Sequence, residues 1–225
     1  MGIGHWILGI FRPLVLSHPV SFLVMISPHD DRTAGQLAEA ERLKLEARHD
    51  EALVILEGIL ADDPKNVTAL EEVADNELSL ERFDRALAAA EQVLRLDPKS
   101  CEGHYILGFI ASHEERWPEA VLSLREANRI DPNNPEILRC LGWALFSGGN
   151  EPEGVVTLER ALNLEEHNPL TLCDLGVVYL QLREFTKAKA LFHRALDLDP
   201  ENIRVKECLE VTERMENESN KRVSE

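Results

Sequence analysis

Basic residues are scarce in this chain of 225 residues, which has 24 Lys and Arg against 41 Asp and Glu and a formal net charge of −17. Binding to a phosphate backbone requires clustered Lys and Arg, so this balance argues against a nucleic-acid partner. A large negative charge favours solubility and attracts positively charged partners. We therefore expect a protein or peptide partner that carries basic residues.

Cysteine is also scarce. The four cysteines, Cys101, Cys140, Cys173 and Cys208, are far apart in the sequence, and no two of them form a Cys-x-x-Cys pair. This spacing favours buried, small apolar side chains over disulfides or metal ligands. That interpretation fits a reducing compartment, and we expect a cytoplasmic protein.

Long apolar runs are missing as well. The longest uncharged stretch of the N-terminal segment, Pro13 to His29, contains prolines and histidines and is shorter than the ~20 apolar residues that a membrane-spanning helix needs. A signal peptide would need a positively charged start and a small-residue cleavage site, and neither is evident. Residues 1–32 leave three interpretations open: a poorly ordered extension, with Met25 as an alternative start; a segment packed on the end of the remaining chain; or a weak membrane anchor.

Recognisable catalytic and metal-binding patterns are absent too. Cys101 and His104 have the spacing of metal ligands, but no second pair of ligands lies nearby in the sequence. The stretch His113-Glu114-Glu115 lacks the second histidine of a zinc-protease motif, and Gly148-Gly149 lacks the following lysine of a phosphate-binding loop. We predict a protein that is not an enzyme and has no catalytic, cofactor or metal site.

What the sequence does contain is a repeat of 34 residues. Asp-Pro occurs at positions 63–64, 97–98, 131–132 and 199–200, whereas Glu165-Glu166 occupies the remaining place. Proline ends a helix because it has no N–H group, and a following Asn or Ser can accept hydrogen bonds from the first N–H groups of the next helix. Such residues follow each time, at Asn66, Ser100, Asn134, Asn168 and Asn202. A period of this length indicates a helical solenoid.

The repeats run without insertion over residues 33–66, 67–100, 101–134, 135–168 and 169–202. Each repeat divides into a first helix, a short turn and a second helix, for which Asp50, Asp84 and Thr186 are candidate N-caps. Small residues recur at the eighth place (Ala40, Ala74, Gly108, Gly142, Gly176) and at the twentieth (Ala52, Ala86, Ala120, Gly154, Ala188). They would let the two helices of a repeat approach closely. A final helix from about Ile203 to Met215 is expected to cover the end of the array, within a capping and tail segment of residues 203–225.

These residues resemble the tetratricopeptide repeat (TPR) family over residues 33–202. The fifth repeat carries the pattern most fully, at Leu172, Leu175, Gly176, Tyr179, Ala188, Phe192, Ala195 and Pro200. The resemblance implies an all-α fold, a right-handed α–α superhelix of five helix–turn–helix repeats with a C-terminal capping helix. It also implies a non-catalytic scaffold or adaptor that binds a peptide segment in a concave groove. Repeat 1 departs from the pattern at Glu39 and Ile59, and repeat 4 has Gly154 in place of alanine.

In a TPR stack the concave groove is lined by first-helix residues that face away from the second helix. By register, the N-terminal half of this groove is acidic and contains Glu41, Glu71, Glu72 and Asp75. The C-terminal half is aromatic and apolar and contains Tyr105, Phe109, Arg139, Trp143, Phe146, Cys173, Val177 and Leu180. We expect a ligand with basic residues at one end and large apolar residues at the other. Partial exposure is expected for Tyr105 and Trp143, while Phe109 and Phe146 are equally compatible with packing between helices.

Two other roles compete with this one. Some TPR domains clamp the terminal carboxylate of a chaperone tail with basic residues, but the corresponding places here carry no positive charge, which argues against that role. The alternative function is a membrane-associated assembly factor or co-chaperone-like protein anchored through residues 1–27. Since only the hydrophobicity of that segment supports it, a membrane partner is not expected.

Overall fold

Helices account for all of the regular secondary structure in the computed structural model, which describes residues 28–223. No strand occurs among these residues, so the predicted all-α fold is confirmed. Most of the segment for which three interpretations were offered, residues 1–27, lies outside the described part. Among residues 28–223, no helix combines the length and the apolar character needed to cross a membrane.

The chain divides into two compact units after Ile130. The first unit contains α1 (Pro28–Leu45), α2 (His49–Asp62), α3 (Val67–Ser79), α4 (Phe83–Leu96), α5 (Cys101–His113) and α6 (Trp117–Ile130). The second unit contains α7 (Pro135–Ser147), α8 (Glu151–Leu164), α9 (Pro169–Gln181), α10 (Phe185–Leu198) and α11 (Ile203–Val223). In both units the consecutive helices pack as antiparallel pairs with a core of aliphatic side chains, among them Leu56, Leu78 and Ile110 in the first and Ile137, Leu158 and Leu172 in the second.

The first helices begin at the predicted capping residues. Asn66 accepts a hydrogen bond from the backbone N–H of Ala69, and Ser100 accepts one from Gly103. Asn134 and Asn168 each accept two such bonds, from the second and third residues that follow them. These bonds satisfy N–H groups that have no partner within the helix.

The second helices begin differently, and the prediction that Asp50, Asp84 and Thr186 cap them is wrong. Each of these residues lies inside its helix, one position after the first residue. The residues at the N-cap positions, Arg48 in α2 and Arg82 in α4, make no side-chain capping bond. The reason is the preceding turn, which is tight and starts the second helix earlier than the sequence pattern suggested.

That turn contains one residue in the left-handed backbone conformation. The five residues recur every 34 positions, at Ala47 (φ 58°), Glu81 (φ 58°), Glu115 (φ 58°), Gly149 (φ 93°) and Arg183 (φ 61°). In the first turn the N–H of Arg48 donates to the carbonyl of Leu43 at 2.9 Å, which closes α1. Glycine adopts this conformation freely, whereas other residues are strained in it, so only the fourth turn has the residue best suited to its backbone.

This pattern predicts opposite effects for two substitutions. Ala47→Gly should raise the free energy of unfolding by about 1 kcal/mol, and Gly149→Ala should lower it by about the same amount, because the left-handed strain of alanine outweighs the greater freedom that glycine has in the unfolded chain. A Cβ atom at Gly149 would meet no atom within 4 Å, so no steric clash contributes. Urea unfolding followed by circular dichroism measures both changes. A destabilising Ala47→Gly would contradict this account of the turn.

Small residues bring the helices of a pair into close contact, as predicted. An added Cβ at Gly108 would lie 2.5 Å from Leu124 Cγ, and one at Gly176 would lie 2.6 Å from Phe192 Cε1. The fourth pair has glycine on both helices. There, a Cβ at Gly154 would lie 2.6 Å from the backbone nitrogen of Phe146 and 2.8 Å from the carbonyl oxygen of Gly142. The glycine that departs from the family pattern therefore lets the backbones of α7 and α8 approach each other.

A recurrent hydrogen bond holds the loop that precedes each of the helices α3, α7 and α9. Gln92 Nε2 donates to the carbonyl of Pro64 at 3.2 Å, Arg160 Nη2 donates to Pro132 at 2.7 Å, and Arg194 Nη2 donates to Glu166 at 2.7 Å. In each case the donor follows the acceptor by 28 residues. We call this contact the loop bond. Glu126 occupies the corresponding place in the third repeat and has no proton to donate. There, His104 Nε2 lies 3.1 Å from the carbonyl of Pro98 and replaces it.

Candidate functional site

The acidic residues predicted for the groove surround a buried lysine in the first unit. Lys44, on α1, is only 4 % exposed, and its Nζ atom lies 2.7 Å from Glu72 Oε2 and 2.9 Å from Asp75 Oδ2, both on α3. Burial alone would lower the pKa of Lys44, but the Asp75 and Glu72 carboxylates outweigh it and raise the pKa to about 12. The ammonium therefore stays charged and links α1 to α3.

Two further carboxylates belong to this group. Glu71 Oε1 accepts a hydrogen bond of 2.6 Å from Ser100 Oγ, the capping residue of α5. Burial raises the pKa of Glu71, and burial together with the negative charge of Asp75 raises the pKa of Glu102 on α5. We call Glu71, Glu72, Asp75 and Glu102 the acidic cluster. Its carboxylates repel one another: the negative charges of Asp75, Glu71 and Glu72 raise the pKa of Glu102, and the Lys44 ammonium opposes them.

Next to the acidic cluster along α5 lie two aromatic residues and a serine. The ring centroids of Tyr105 and Phe109 are 6.2 Å apart, and Ser112 follows on the same helix face. Tyr105 is only 1 % exposed, so the expected partial exposure of its ring is wrong, while Phe109 is half-buried. The buried Oγ of Ser112 has no hydrogen-bond partner in the part of the chain that the structure describes.

The second unit has its own buried charge cluster. Arg139, on α7, forms two hydrogen bonds with Glu136, from Nε at 2.9 Å and from Nη2 at 2.5 Å. Its Nη1 atom also donates to Asp174 Oδ2 on α9 at 2.8 Å. All three side chains are buried, and two carboxylates therefore share this guanidinium. Arg139 thus joins α7 to α9 and is not a groove residue open to solvent.

Asp174 is the less well satisfied of the two carboxylates. It is 1 % exposed, and its Oδ1 atom accepts no hydrogen bond from residues 28–223. Burial raises the pKa of Asp174 to about 6, and the opposing effect of the Arg139 guanidinium is too small to prevent this. Near neutral pH the folded unit therefore holds a buried carboxylate that would take up a proton on mild acidification.

Apart from the half-buried Phe109, the aromatic and apolar half of the predicted groove is buried. Trp143 is 7 % exposed, so its expected partial exposure is wrong. The remaining members on these two helices are buried as well, namely Phe146, Cys173, Val177 and Leu180. Every residue from Glu136 to Phe146 and from Thr171 to Leu180 is buried, so the middle turns of α7 and α9 expose no face to water. The register gave the side of the helix on which these residues lie but not whether that side faces water.

Sequence models of the tetratricopeptide repeat match residues 37–99, 72–135 and 169–202, which together make up more than half of the chain. The chain belongs to the tetratricopeptide repeat family. The TPR family consists in general of non-catalytic modules that bind other proteins, and its fold is that of a scaffold for protein–protein interaction. No match was found among curated proteins.

Solved TPR structures resemble this chain in fold. TTC0263, a thermophilic TPR protein from Thermus thermophilus, is 21 % identical, with a TM-score of 0.66 over 80 % of this chain and 98 % of that one. PilF from Pseudomonas aeruginosa is 16 % identical, with a TM-score of 0.69 over 88 % and 94 %. YrrB, a TPR protein with an unusual peptide-binding site, is 20 % identical, with a TM-score of 0.58 over 76 % and 89 %. At these identities the likeness establishes the fold alone.

The sequence pattern missed several residues of the two charge clusters of this TPR protein. Glu102 belongs to the acidic cluster, which Lys44 and Ser100 contact, and Glu136 and Asp174 are the two carboxylates around Arg139. The sequence did contain a sign that Asp174 is buried. It is the one charged residue among the thirteen of α9, and a helix that is apolar on all faces is normally buried. Of the predicted acidic residues, Glu41 is exposed, Glu71 and Glu72 are half-buried, and Asp75 is buried.

The residues considered as metal ligands have structural contacts. Cys101 Sγ lies 3.6 Å from the carbonyl of Ala127, and His104 Nε2 contacts the carbonyl of Pro98 in place of the loop bond. Cys140 and Cys173 are buried, Cys101 and Cys208 are half-buried, and none of the four forms a disulfide. Burial raises the pKa of the Cys173 thiol to about 12, which keeps it protonated and poorly reactive.

Proposed function

We propose that this protein is a non-catalytic TPR adaptor that binds a basic and apolar segment of a partner protein at the acidic cluster of its first unit. The observation that carries this proposal is the sharing of Lys44 by several carboxylates that lie on α3 and α5. Glu71, Glu72 and Glu102 remain partly accessible, so a partner's cation can reach them. The exposed Glu41 adds negative charge on α1.

A cationic side chain is the group that this cluster favours. The raised pKa values of Glu71 and Glu102 mean that their surroundings destabilise the ionised, negatively charged carboxylates. A guanidinium or ammonium placed between them would lower both pKa values and form charge-assisted hydrogen bonds. The half-buried ring of Phe109 lies on the same helix as Glu102 and offers a contact for an apolar residue next to the partner's basic one.

Two further points support the proposal. YrrB, which has a similar fold, has a peptide-binding site, so a TPR stack of this kind can hold a peptide. The four cysteines of this chain form no disulfide, which suits a reducing compartment, and we propose that the protein acts in the cytoplasm. The buried side chains of α7 and α9 support a structural role more than a direct contact, so we place the partner's main contacts on the first unit.

The test is binding of a synthetic peptide that carries alternating Arg and Leu residues, measured by fluorescence anisotropy with the full chain. The double variant Glu71→Gln and Glu102→Gln should bind it about 10-fold more weakly at low ionic strength, because two charge-assisted hydrogen bonds are lost. The difference should shrink at high salt, since accessible charges are screened.

The matched control is Glu57→Gln, which removes a carboxylate from an exposed position on α2. It should leave the affinity nearly unchanged. A second control peptide with Glu in place of Arg should not bind. Equal affinity of the double variant and the wild-type chain would reject the acidic cluster as the binding surface.

A further inference from the structure

We propose that residues 1–27 of this chain occupy the acidic cluster and the adjacent face of α5 as an internal ligand, which a partner must displace. The inference rests on the proposed function, because it assigns an occupant to the same surface. That region, called here the α5 face, consists of the acidic cluster and Phe109, with the buried Tyr105 and Ser112 beneath them.

The α5 face has accessible carboxylates, an accessible aromatic ring and a buried hydroxyl group that a bound peptide could contact. Glu71, Glu72, Glu102 and Phe109 are all partly accessible, so the surface combines negative charge with an aromatic ring. Ser112 Oγ is buried without a hydrogen-bond partner among the described residues, although a hydroxyl in such a place normally has one. A peptide lying along α5 would supply both a cation and backbone groups for hydrogen bonding.

The N-terminal segment has the chemistry that this face favours. Residues 1–27 contain no Asp or Glu, in a chain that has 41 of them. They contain one formal positive charge, at Arg12, and three aromatic residues, Trp6, Phe11 and Phe22. No other stretch of comparable length in this acidic chain combines a basic residue with large apolar side chains and no carboxylate. The segment therefore resembles the basic and apolar partner that the acidic cluster is proposed to bind.

The segment can also reach the α5 face. It is joined to α1 at Pro28, and Lys44 near the other end of α1 contacts the acidic cluster. A helix of 18 residues is about 27 Å long, whereas 27 extended residues span up to about 90 Å. Because the segment is covalently attached, its effective concentration at this face would be in the millimolar range, so even a weak contact would compete with a free peptide.

The first experiment locates the segment in the full chain. A photoreactive benzoylphenylalanine placed at Phe109 should, on irradiation, form cross-links to residues 1–27 of the same molecule, identified by mass spectrometry. An equimolar mixture with isotope-labelled chain distinguishes links within one molecule from links between two. Links to other residues alone, or links only between two molecules, would overturn the proposal.

The second experiment measures competition. In the full chain, Phe11→Ser together with Arg12→Gln should increase the affinity for the Arg–Leu peptide by at least about 10-fold, because the internal ligand is weakened. The control is Lys65→Gln, which removes one positive charge from an exposed position and should leave the affinity unchanged.

The outcomes separate the two proposals. If the peptide binds in a manner that depends on Glu71 and Glu102, but Phe11→Ser with Arg12→Gln has no effect, the internal ligand is rejected and the proposed function stands. If the peptide binds neither the wild-type chain nor this double variant, the proposed function fails.

Discussion

Replacing Gly154 with alanine is expected to lower the free energy of unfolding of the second unit by about 3 kcal/mol. The added methyl group would lie 2.6 Å from the backbone nitrogen of Phe146 and 2.8 Å from the carbonyl oxygen of Gly142. Neither atom can turn away as the end of a flexible side chain can, so α7 and α8 would have to move apart. Urea unfolding followed by circular dichroism measures the loss.

Gly58→Ala is the matched control for this prediction. Gly58 lies inside α2, a second helix like α8, but a Cβ atom there would meet nothing within 4 Å. Alanine should therefore raise the free energy of unfolding by up to about 1 kcal/mol, because it favours the helix over glycine. If the two substitutions changed stability in the same direction, close backbone contact would not be the reason for glycine at position 154.

Acidification should stabilise the second unit through Asp174. Its pKa is raised to about 6 in the folded chain, against about 3.9 in an unfolded one. The folded state therefore binds the proton more tightly, and the stability that Asp174 contributes is fully present below about pH 4 and is lost as the pH rises through about 6. The shift corresponds to about 3 kcal/mol.

Asp174→Asn tests this dependence, since asparagine keeps the shape and cannot titrate. The difference in free energy of unfolding between the variant and the wild-type chain should change by about 3 kcal/mol between about pH 4 and about pH 7, with the variant gaining relative stability at the higher pH. Asp62→Asn, at an exposed position on α2, serves as control. Parallel curves for Asp174→Asn and wild type would show that the unsatisfied carboxylate has little influence on stability.

The helical architecture could be predicted from local chemistry. Proline at Pro64 and Pro98 ends one helix, and Asn66 or Ser100 begins the next, through interactions within a few residues of one another. The close approach at Gly108 and Gly176 was also predictable, because small residues recur in register on both helices of a pair. Such features depend on sequence neighbours and on spacing, which a single sequence contains.

The surroundings of the candidate site depend on residues that are distant in the sequence. Arg139 and Asp174 are 35 residues apart in the sequence, and Lys44 and Glu72 are 28 apart. Each pair forms because the helices that carry the two residues pack together, and the repeat register alone does not specify which side chains then meet. The same reason explains the buried rings of Tyr105 and Trp143. The period located the face on which a residue lies, but its exposure depends on what packs against that face.

The loop bond has a consequence for how such a chain can change its length. Donor and acceptor are 28 residues apart wherever the bond occurs, at Gln92, Arg160 and Arg194, and the period is 34. Recombination that adds or removes one whole period inside the array therefore leaves each donor opposite an equivalent carbonyl, whereas a change of any other length separates them. The third repeat is the exception, because Glu126 cannot donate this bond. His104, in the same repeat, donates to the preceding loop instead. A copy of that repeat would contain its own substitute donor. The array can therefore gain or lose whole repeats without any change in the residues that hold the loops between them.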